Sequence, residues 1–269
     1  MEYQLNNQSI SYLPEGKKIS GSNTILLHHS IDLTANVPWH DAGYAIEQLY
    51  HKNQFTDFFN ETKNLLIDLW RTAGLVMPGD FALDQYHTLI GNQRQHLSAL
   101  EQTKLIFTNK FPLGIHTLEN RISEICGIQV VAKNPFDHQS VFHFRVIRPN
   151  SNDNNPLHRD TWLEEYAGCI NLYIPIAGSN AHSSLSLIPG SHLWPENKVE
   201  RTEHGAQINE IKFNVPAVSK IKGKYELVRP DPKENEVLVF SPYLIHGGAV
   251  NLNKNQTRIS IELRLWKKH

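Results

Sequence analysis

Asn155-Pro156-Leu157-His158-Arg159-Asp160-Thr161-Trp162 places an imidazole and a carboxylate two residues apart. In an extended backbone, residues i and i+2 point to the same side, so His158 and Asp160 can share one centre. With 15 His in 269 residues, one such triplet carries little weight by itself. Its company carries more: His246 follows 88 residues later in Tyr243-Leu244-Ile245-His246-Gly247-Gly248, and Arg258 lies 12 residues beyond it. Two His and one carboxylate on one face of a metal leave open positions, a donor set suited to non-haem Fe(II) working with O2. We read His158, Asp160 and His246 as the candidate metal ligands.

The surroundings of that stretch point to the fold. From residue 128 onward the chain is a series of short β-branched or aromatic runs, at 128–132, 141–147, 169–176, 185–188, 211–215, 225–228, 236–240, 245–250 and 257–266, separated by Gly, Pro and Asn turns. Many short strands at near-regular spacing favour a sandwich or jelly roll over a parallel α/β sheet. The first half reads differently. Ala45, Ile46, Leu49 and Tyr50, then Phe55, Phe58, Phe59, Leu65, Leu66, Leu69 and Trp70, recur at three- and four-residue steps and predict amphipathic helices that stop at Gly74. A second helical region is expected over 83–105, interrupted near Gly91-Asn92, and a third, with Leu118, Ile122 and Ile125 on one face, ends before Gly127. Residues 1–37 are weakly patterned, with an edge strand expected at 24–27. The expectation is one domain over residues 1–269, mainly β with α: a mostly helical N-terminal layer over 1–127 packed on a jelly-roll core over 128–269.

Two stretches add chemistry to this frame. Residues 150–156, Asn-Ser-Asn-Asp-Asn-Asn-Pro, form a loop by composition at the strand junction where a scaffold fixes ligands and a loop admits substrate. In the last strand Arg258, Ser260, Glu262 and Arg264 alternate with Ile259, Ile261, Leu263 and Leu265. If the apolar face packs on the helices, the charged face lines the interior, where a guanidinium needs an anion. A dicarboxylate co-substrate would supply it, gripped by the Arg258 fork with a hydroxyl from Ser260. The alternative is a solvated outer face with Glu262 and Arg264 paired at the surface.

At these residues the chain resembles the phytanoyl-CoA dioxygenase-like branch of the Fe(II)/2-oxoglutarate oxygenases. His158-Arg159-Asp160, His246 and Arg258-x-Ser260 are similar to its metal and co-substrate motifs, and Leu187-Ile188-Pro189-Gly190-Ser191-His192 is similar to its Ile/Val-Pro-Gly-Ser-His segment. The resemblance covers about residues 140–266. It implies a double-stranded β-helix (cupin-like barrel), iron at His158, Asp160 and His246, and 2-oxoglutarate at Arg258 and Ser260, with His143 or Arg145 as a further polar contact to the co-substrate. It also implies O2-dependent hydroxylation or another oxidation of a small molecule, with release of succinate and CO2. The carboxylate of Asp160 argues against halogenation, since halogenating relatives lack it. A polar, carbohydrate or natural-product substrate is the expectation; Trp162, Asn171 and Tyr173 are candidate pocket walls, and His192 reads as a turn residue. Relatives usually carry Gly-Pro where this chain has Ser183-Ser184.

Two other readings stay open on sequence: a cupin-type metal enzyme that needs no 2-oxoglutarate, and a non-catalytic jelly-roll module that binds a ligand. Composition narrows the partners. A formal net charge of −1 offers no electrostatic footprint for nucleic acid. Cys126 and Cys169 are the only cysteines, with no Cys-x-x-Cys, so reduced buried thiols are expected. Without an apolar run near the ~20 residues of a membrane span, and without a basic-then-apolar leader, a cytoplasmic enzyme is expected.

Overall fold

The computed structural model describes residues 1–151 and 153–268. Its centre is a seven-stranded antiparallel sheet built from β1 (Tyr44–Gln48), β2 (Ile106–Phe107), β3 (Val130–Val131), β4 (Val141–Ile147), β5 (Cys169–Ala177), β6 (Glu236–Phe240) and β7 (Arg258–Lys267). The strands lie in the order β1-β6-β5-β7-β4-β2, with β3 on the far end of β7. Alternation along β7 sorts its two faces. Ile259, Ile261, Leu263 and Leu265 join Phe142, Phe144, Ile170, Leu172, Val237 and Val239 in one apolar core with residues of the three helices. The charged face of β7 turns inward, as the period-2 pattern requires once one face is covered.

Helices α1 (Lys52–Thr72), α2 (Gln93–Gln102) and α3 (Ile115–Cys126) form that cover. Phe58, Leu66 and Trp70 of α1 and Leu118 and Ile122 of α3 are fully buried in it, each large side chain contributing about 1.5–3 kcal/mol. Helix α1 ends as its sequence predicts: Gly74 takes φ +83°, its N–H donates to Arg71 O and the N–H of Leu75 donates to Trp70 O, the two bonds of a Schellman cap. The expected 83–105 helix splits into a 3-10 turn, Leu83–Leu89, and α2, whose N-cap Asn92 accepts the N–H of Gln95.

The second layer is less regular. Lys18–Ser20, Val199–Thr202 and Val218–Ile221 form a three-stranded sheet, and single bridges extend it: Leu157 O accepts the N–H of Val218, His158 pairs with His246, His246 with Leu187, and Leu187 with Val228. The result is a jelly-roll pair of facing layers, mainly β with α, that does not close into a continuous barrel. The strands expected at 185–188, 225–228 and 245–250 are these isolated bridges, because Pro189-Gly190 and Gly247-Gly248 bend the chain out of each ladder after one pairing.

Three local expectations are corrected. Residues 44–48, read with a helical period, are edge strand β1, paired with all five residues of β6; an exposed edge of Val237 and Val239 offers ladder bonds that outweigh local periodicity. At 24–27 only Ile25 makes a bridge, to Pro195. The weakly patterned N-terminus instead forms a hairpin, Glu2–Leu5 with Gln8–Ser11, around Asn6 and Asn7 at φ 50° and 60°, and Tyr3 and Leu5 pack against Leu157, Ile188 and Ile245 behind the second layer. Among the described residues, no helix is long and apolar enough to cross a membrane. Both cysteines are free and buried, as expected.

Candidate active site

His158 and His246 are paired neighbours in the second layer, exchanging both backbone hydrogen bonds at 2.9 Å. Their closeness depends on Gly247, which adopts φ +105° and whose absent Cβ would lie 2.3 Å from Pro156 O. That same carbonyl accepts the His158 Nδ1–H at 2.8 Å, and Leu244 O accepts the His246 Nδ1–H at 3.0 Å. With both Nδ1 atoms committed to carbonyls, each Nε2 keeps its lone pair and faces the interior. Burial, with the neighbouring His158, pushes His246 down to about 4, so it is a neutral imidazole at pH 7.

Asp160 completes the group. Its N–H is held by Pro242 O at 3.1 Å. One carboxylate oxygen, Oδ2, accepts from Arg264 Nε (3.0 Å), Arg264 Nη2 (2.9 Å) and Asn171 Nδ2 (2.9 Å). The other, Oδ1, is buried with no hydrogen-bond donor among the described residues and lies 3.3 Å from His158 Nε2 and 3.7 Å from His246 Nε2. Burial alone would raise its pKa, but the Arg264 guanidinium holds it well below the usual carboxylate range. A desolvated carboxylate oxygen and two imidazole lone pairs converging on one point, with all three donor atoms within 4.8 Å of one another, are costly unless a cation sits between them. Non-haem iron fits that donor set.

The residues between and after the ligands are scaffold. Arg159, fully buried, pairs with Glu196 and donates to Ser191 O at 2.6 Å, while Trp162 Nε1 donates to Glu196 Oε2 at 3.0 Å. Ser191 Oγ in turn accepts the N–H of Ile245 and donates to Ile188 O. The Pro-Gly-Ser-His turn therefore ties the His158 loop to the His246 strand. His192 serves the same frame: it is buried and donates to His40 O at 2.8 Å.

Two cavities meet at the three donors. The larger, about 290 Å3, is lined by His143, Arg145, Asp153, Asn155, Asn171, Tyr173 and Asn214 beside the ligands; the smaller, about 50 Å3, runs to Arg258. Arg258 is almost fully buried, donates to Ser183 O at 3.3 Å and leaves Nε without a partner. Ser260 is fully buried, lines neither cavity, and donates its Oγ–H to Glu262 Oε1 at 3.4 Å. Arg145 faces both cavities and pairs with Glu262 at 3.2 Å, whereas His143 lines only the larger one, its Nδ1 accepting the N–H of Leu105. Glu262 and Arg264 are thus not a surface pair; each has an interior partner of its own. Trp162 is not a wall of either cavity.

Of residues 150–156, Asn152 lies outside the described residues. Asp153 anchors the rest through Arg148, with contacts at 2.9 Å to each carboxylate oxygen, and through His96 at 3.4 Å. Segments that sequence reading passed over also build the site: Leu100, Thr103, Lys104 and Leu105 from the end of α2, and Asn214 and Val215. Arg264 and Asn171, which grip Asp160, are cross-strand partners in the β7–β5 register. The alternation in β7 placed Arg264 on the inner face but did not identify its acceptor.

This fold with this site defines the class of iron and 2-oxoglutarate-dependent oxygenases, oxidoreductases of the dioxygenase type. The chain belongs to the phytanoyl-CoA dioxygenase family, whose model matches residues 38–260. No curated protein matches it in sequence. Among solved structures it is similar to AviO1 from Streptomyces viridochromogenes Tue57, at 16% identity and TM-score 0.51 over 89% of this chain and 97% of that one. It is also similar to the non-heme monooxygenase ThoJ in its apo form, at 10% identity and TM-score 0.51 over 88% and 77%. The epimerase SnoN in complex with Fe3+, alpha ketoglutarate and nogalamycin RO aligns at 9% identity and TM-score 0.50 over 88% and 84%. At these identities the likeness is one of fold.

Proposed function

We propose that residues 1–269 act as one oxygenase domain that hydroxylates, or otherwise oxidises, a small polar substrate of carbohydrate or natural-product type, with release of succinate and CO2. His158 and His246, through Nε2, and Asp160, through Oδ1, would hold Fe(II). Arg258, with Ser260, would anchor the distal carboxylate of 2-oxoglutarate. Bound iron and co-substrate would supply the oxidising power, turning O2 and 2-oxoglutarate into succinate and CO2, with one oxygen atom entering succinate and the other entering a hydroxylated product or, in another oxidation, water. The chain's own part is to orient and to desolvate. Carbonyls of Pro156 and Leu244 fix the imidazole tautomers, Arg264 and Asn171 fix the carboxylate, and the buried Arg258, with Nε unpartnered and Glu262 Oε1 3.8 Å from its Nη2, offers a guanidinium for which an incoming carboxylate would compete with Glu262.

The observation that carries this reading is the donor-free Oδ1 of Asp160 set between two Nε2 atoms. The substrate class rests on the larger cavity, about 290 Å3 and near the lower end for small-molecule pockets, whose wall sets Lys104, Arg145, Asp153, Asn155 and Asn214 among Leu100, Leu163, Tyr166, Leu185 and Val215. A small molecule that carries hydroxyl or ionic groups on a partly apolar frame suits that mixed wall. The test is an anaerobic titration of metal-free protein with Fe(II) and 2-oxoglutarate, followed by the visible charge-transfer band of the chelate. A band that requires both additions and is lost in Asp160→Ala, together with substrate-dependent succinate release, is expected. Iron uptake with no band on adding 2-oxoglutarate would overturn the co-substrate assignment, and absence of iron uptake would overturn the metal site.

A further inference from the structure

We propose that Arg264 is a positioning residue that makes Asp160 a ligand through one oxygen only; the inference rests on the metal-site reading above. The geometry is unequal at the two ends of the carboxylate. Oδ2 receives three hydrogen bonds, two from Arg264 and one from Asn171, all between 2.9 and 3.0 Å. Oδ1 receives none and faces both histidines. A carboxylate with both oxygens free beside a divalent cation is able to chelate it and occupy two coordination positions. Here the second oxygen is already committed to donors, so one position is used and one more is left for exogenous groups.

The device is built into the sheet. Arg264 and Asn171 are directly opposed across β7 and β5, so their reach toward Asp160 follows from strand register and not from a mobile loop. The guanidinium also packs on the Tyr166 ring at 4.0 Å, which holds its plane. Three hydrogen bonds in place of one define an orientation of the carboxylate, and the positive charge lowers its basicity. Arg264 lines both cavities, six residues from Arg258 on the same face of the same strand, so one strand would set both the co-substrate anchor and the ligand geometry.

The test titrates Co(II) anaerobically into metal-free wild type, Arg264→Gln, Arg264→Lys and Asn171→Ala, reading affinity and the visible ligand-field spectrum. Loss of an outer-shell partner of a metal ligand typically costs 10–100-fold in affinity. Arg264→Gln is expected to fall in that range and to change the intensity and shape of the band as the carboxylate changes its mode. Arg264→Lys, which restores charge with one contact, recovers part of the affinity, and Asn171→Ala, which removes only the third donor, shows the smaller loss. A purely structural role would lower the melting temperature and leave the spectrum alone. If wild type binds Co(II) and Arg264→Gln binds it within twofold with the same spectrum, the proposal fails while the metal site stands. Wild type that takes up no Co(II) overturns both. Should Arg264→Gln not fold, Asn171→Ala and Arg264→Lys decide: unchanged spectrum and affinity in both refute the clamp.

Discussion

Replacing Glu262 by Gln is expected to tighten binding of 2-oxoglutarate. Glu262 reaches the two groups assigned to the co-substrate: its Oε1 lies 3.8 Å from Arg258 Nη2 and 3.4 Å from Ser260 Oγ, while Oε2 pairs with Arg145 Nε at 3.2 Å. Burial by itself would favour its neutral form, but Arg145 and Arg258 hold its pKa below the ordinary value, so it is an anion at pH 7. An incoming carboxylate at Arg258 meets that anion. Two unit charges at about 4 Å interact by about 4 kcal/mol at an effective dielectric of about 20. The Glu262 side chain is 24% exposed and Arg145 neutralises part of its field, so about a quarter of that, ~1 kcal/mol, is a reasonable net repulsion. Gln keeps the shape and removes the charge; a gain of ~1 kcal/mol is about fivefold in Kd. The assay is anaerobic calorimetric titration of Mn(II)-loaded wild type and Glu262→Gln with 2-oxoglutarate, with Arg258→Ala as the control. Weaker binding by Glu262→Gln would refute the reasoning, since Glu262 would then be supporting Arg258 rather than competing for it.

Arg258→Ala should weaken 2-oxoglutarate by about 2 kcal/mol, roughly 30-fold, and leave Co(II) affinity unchanged; a parallel loss of metal would contradict separate anchors. Gly247→Ala forces a Cβ to 2.3 Å from Pro156 O at φ +105°, so a loss of about 2 kcal/mol or more in urea denaturation is expected, with weaker metal binding because Pro156 O fixes His158. A near-neutral effect would mean that the two loops separate freely. Burial pushes His143 and His192 each down to about 4, against about 6.5 when unfolded. The unfolded chain therefore binds more protons in that window. Their contribution is fully present above about pH 6.5 and is lost as pH falls toward 4, at up to ~1.4 kcal/mol per pH unit for each. A urea midpoint that does not move between pH 7 and pH 5 would contradict their burial as neutral groups.

Much of the site could be read before folding because its chemistry sits in short strings. His158-Arg159-Asp160 needs only extended backbone to bring two donors to one side, and Gly247 announces a close approach beside His246. Period-2 alternation in β7 sufficed to turn Arg258, Ser260, Glu262 and Arg264 to one face. The helices α1 and α3 declared themselves by apolar spacing and by the glycines that end them. The N-terminal hairpin was also legible, in the alternation of Tyr3, Leu5, Ile10 and Tyr12 about Asn6-Asn7; that signal passes unnoticed when the stretch is judged only by its polarity.

Other features had no local signature. Residues 44–48 satisfy a helical spacing, and only the vacant edge of β6 makes them a strand. Arg159 looks like a charge between two ligands; that it is buried against Glu196 depends on a turn more than thirty residues away. Sequence by itself determined which residue types were available for a two-His, one-carboxylate centre and which face of each strand they would take, because backbone alternation is a local property. Tertiary structure alone decided that Arg264 and Asn171 share one oxygen of Asp160, that Glu262 pairs with Arg145 across β7 and β4, and that His143 stands in the larger cavity. Those relations arise from strand register across β5, β7 and β4 and from the packing of two layers. Both are set by contacts between residues far apart in the chain, and no short window of sequence records them.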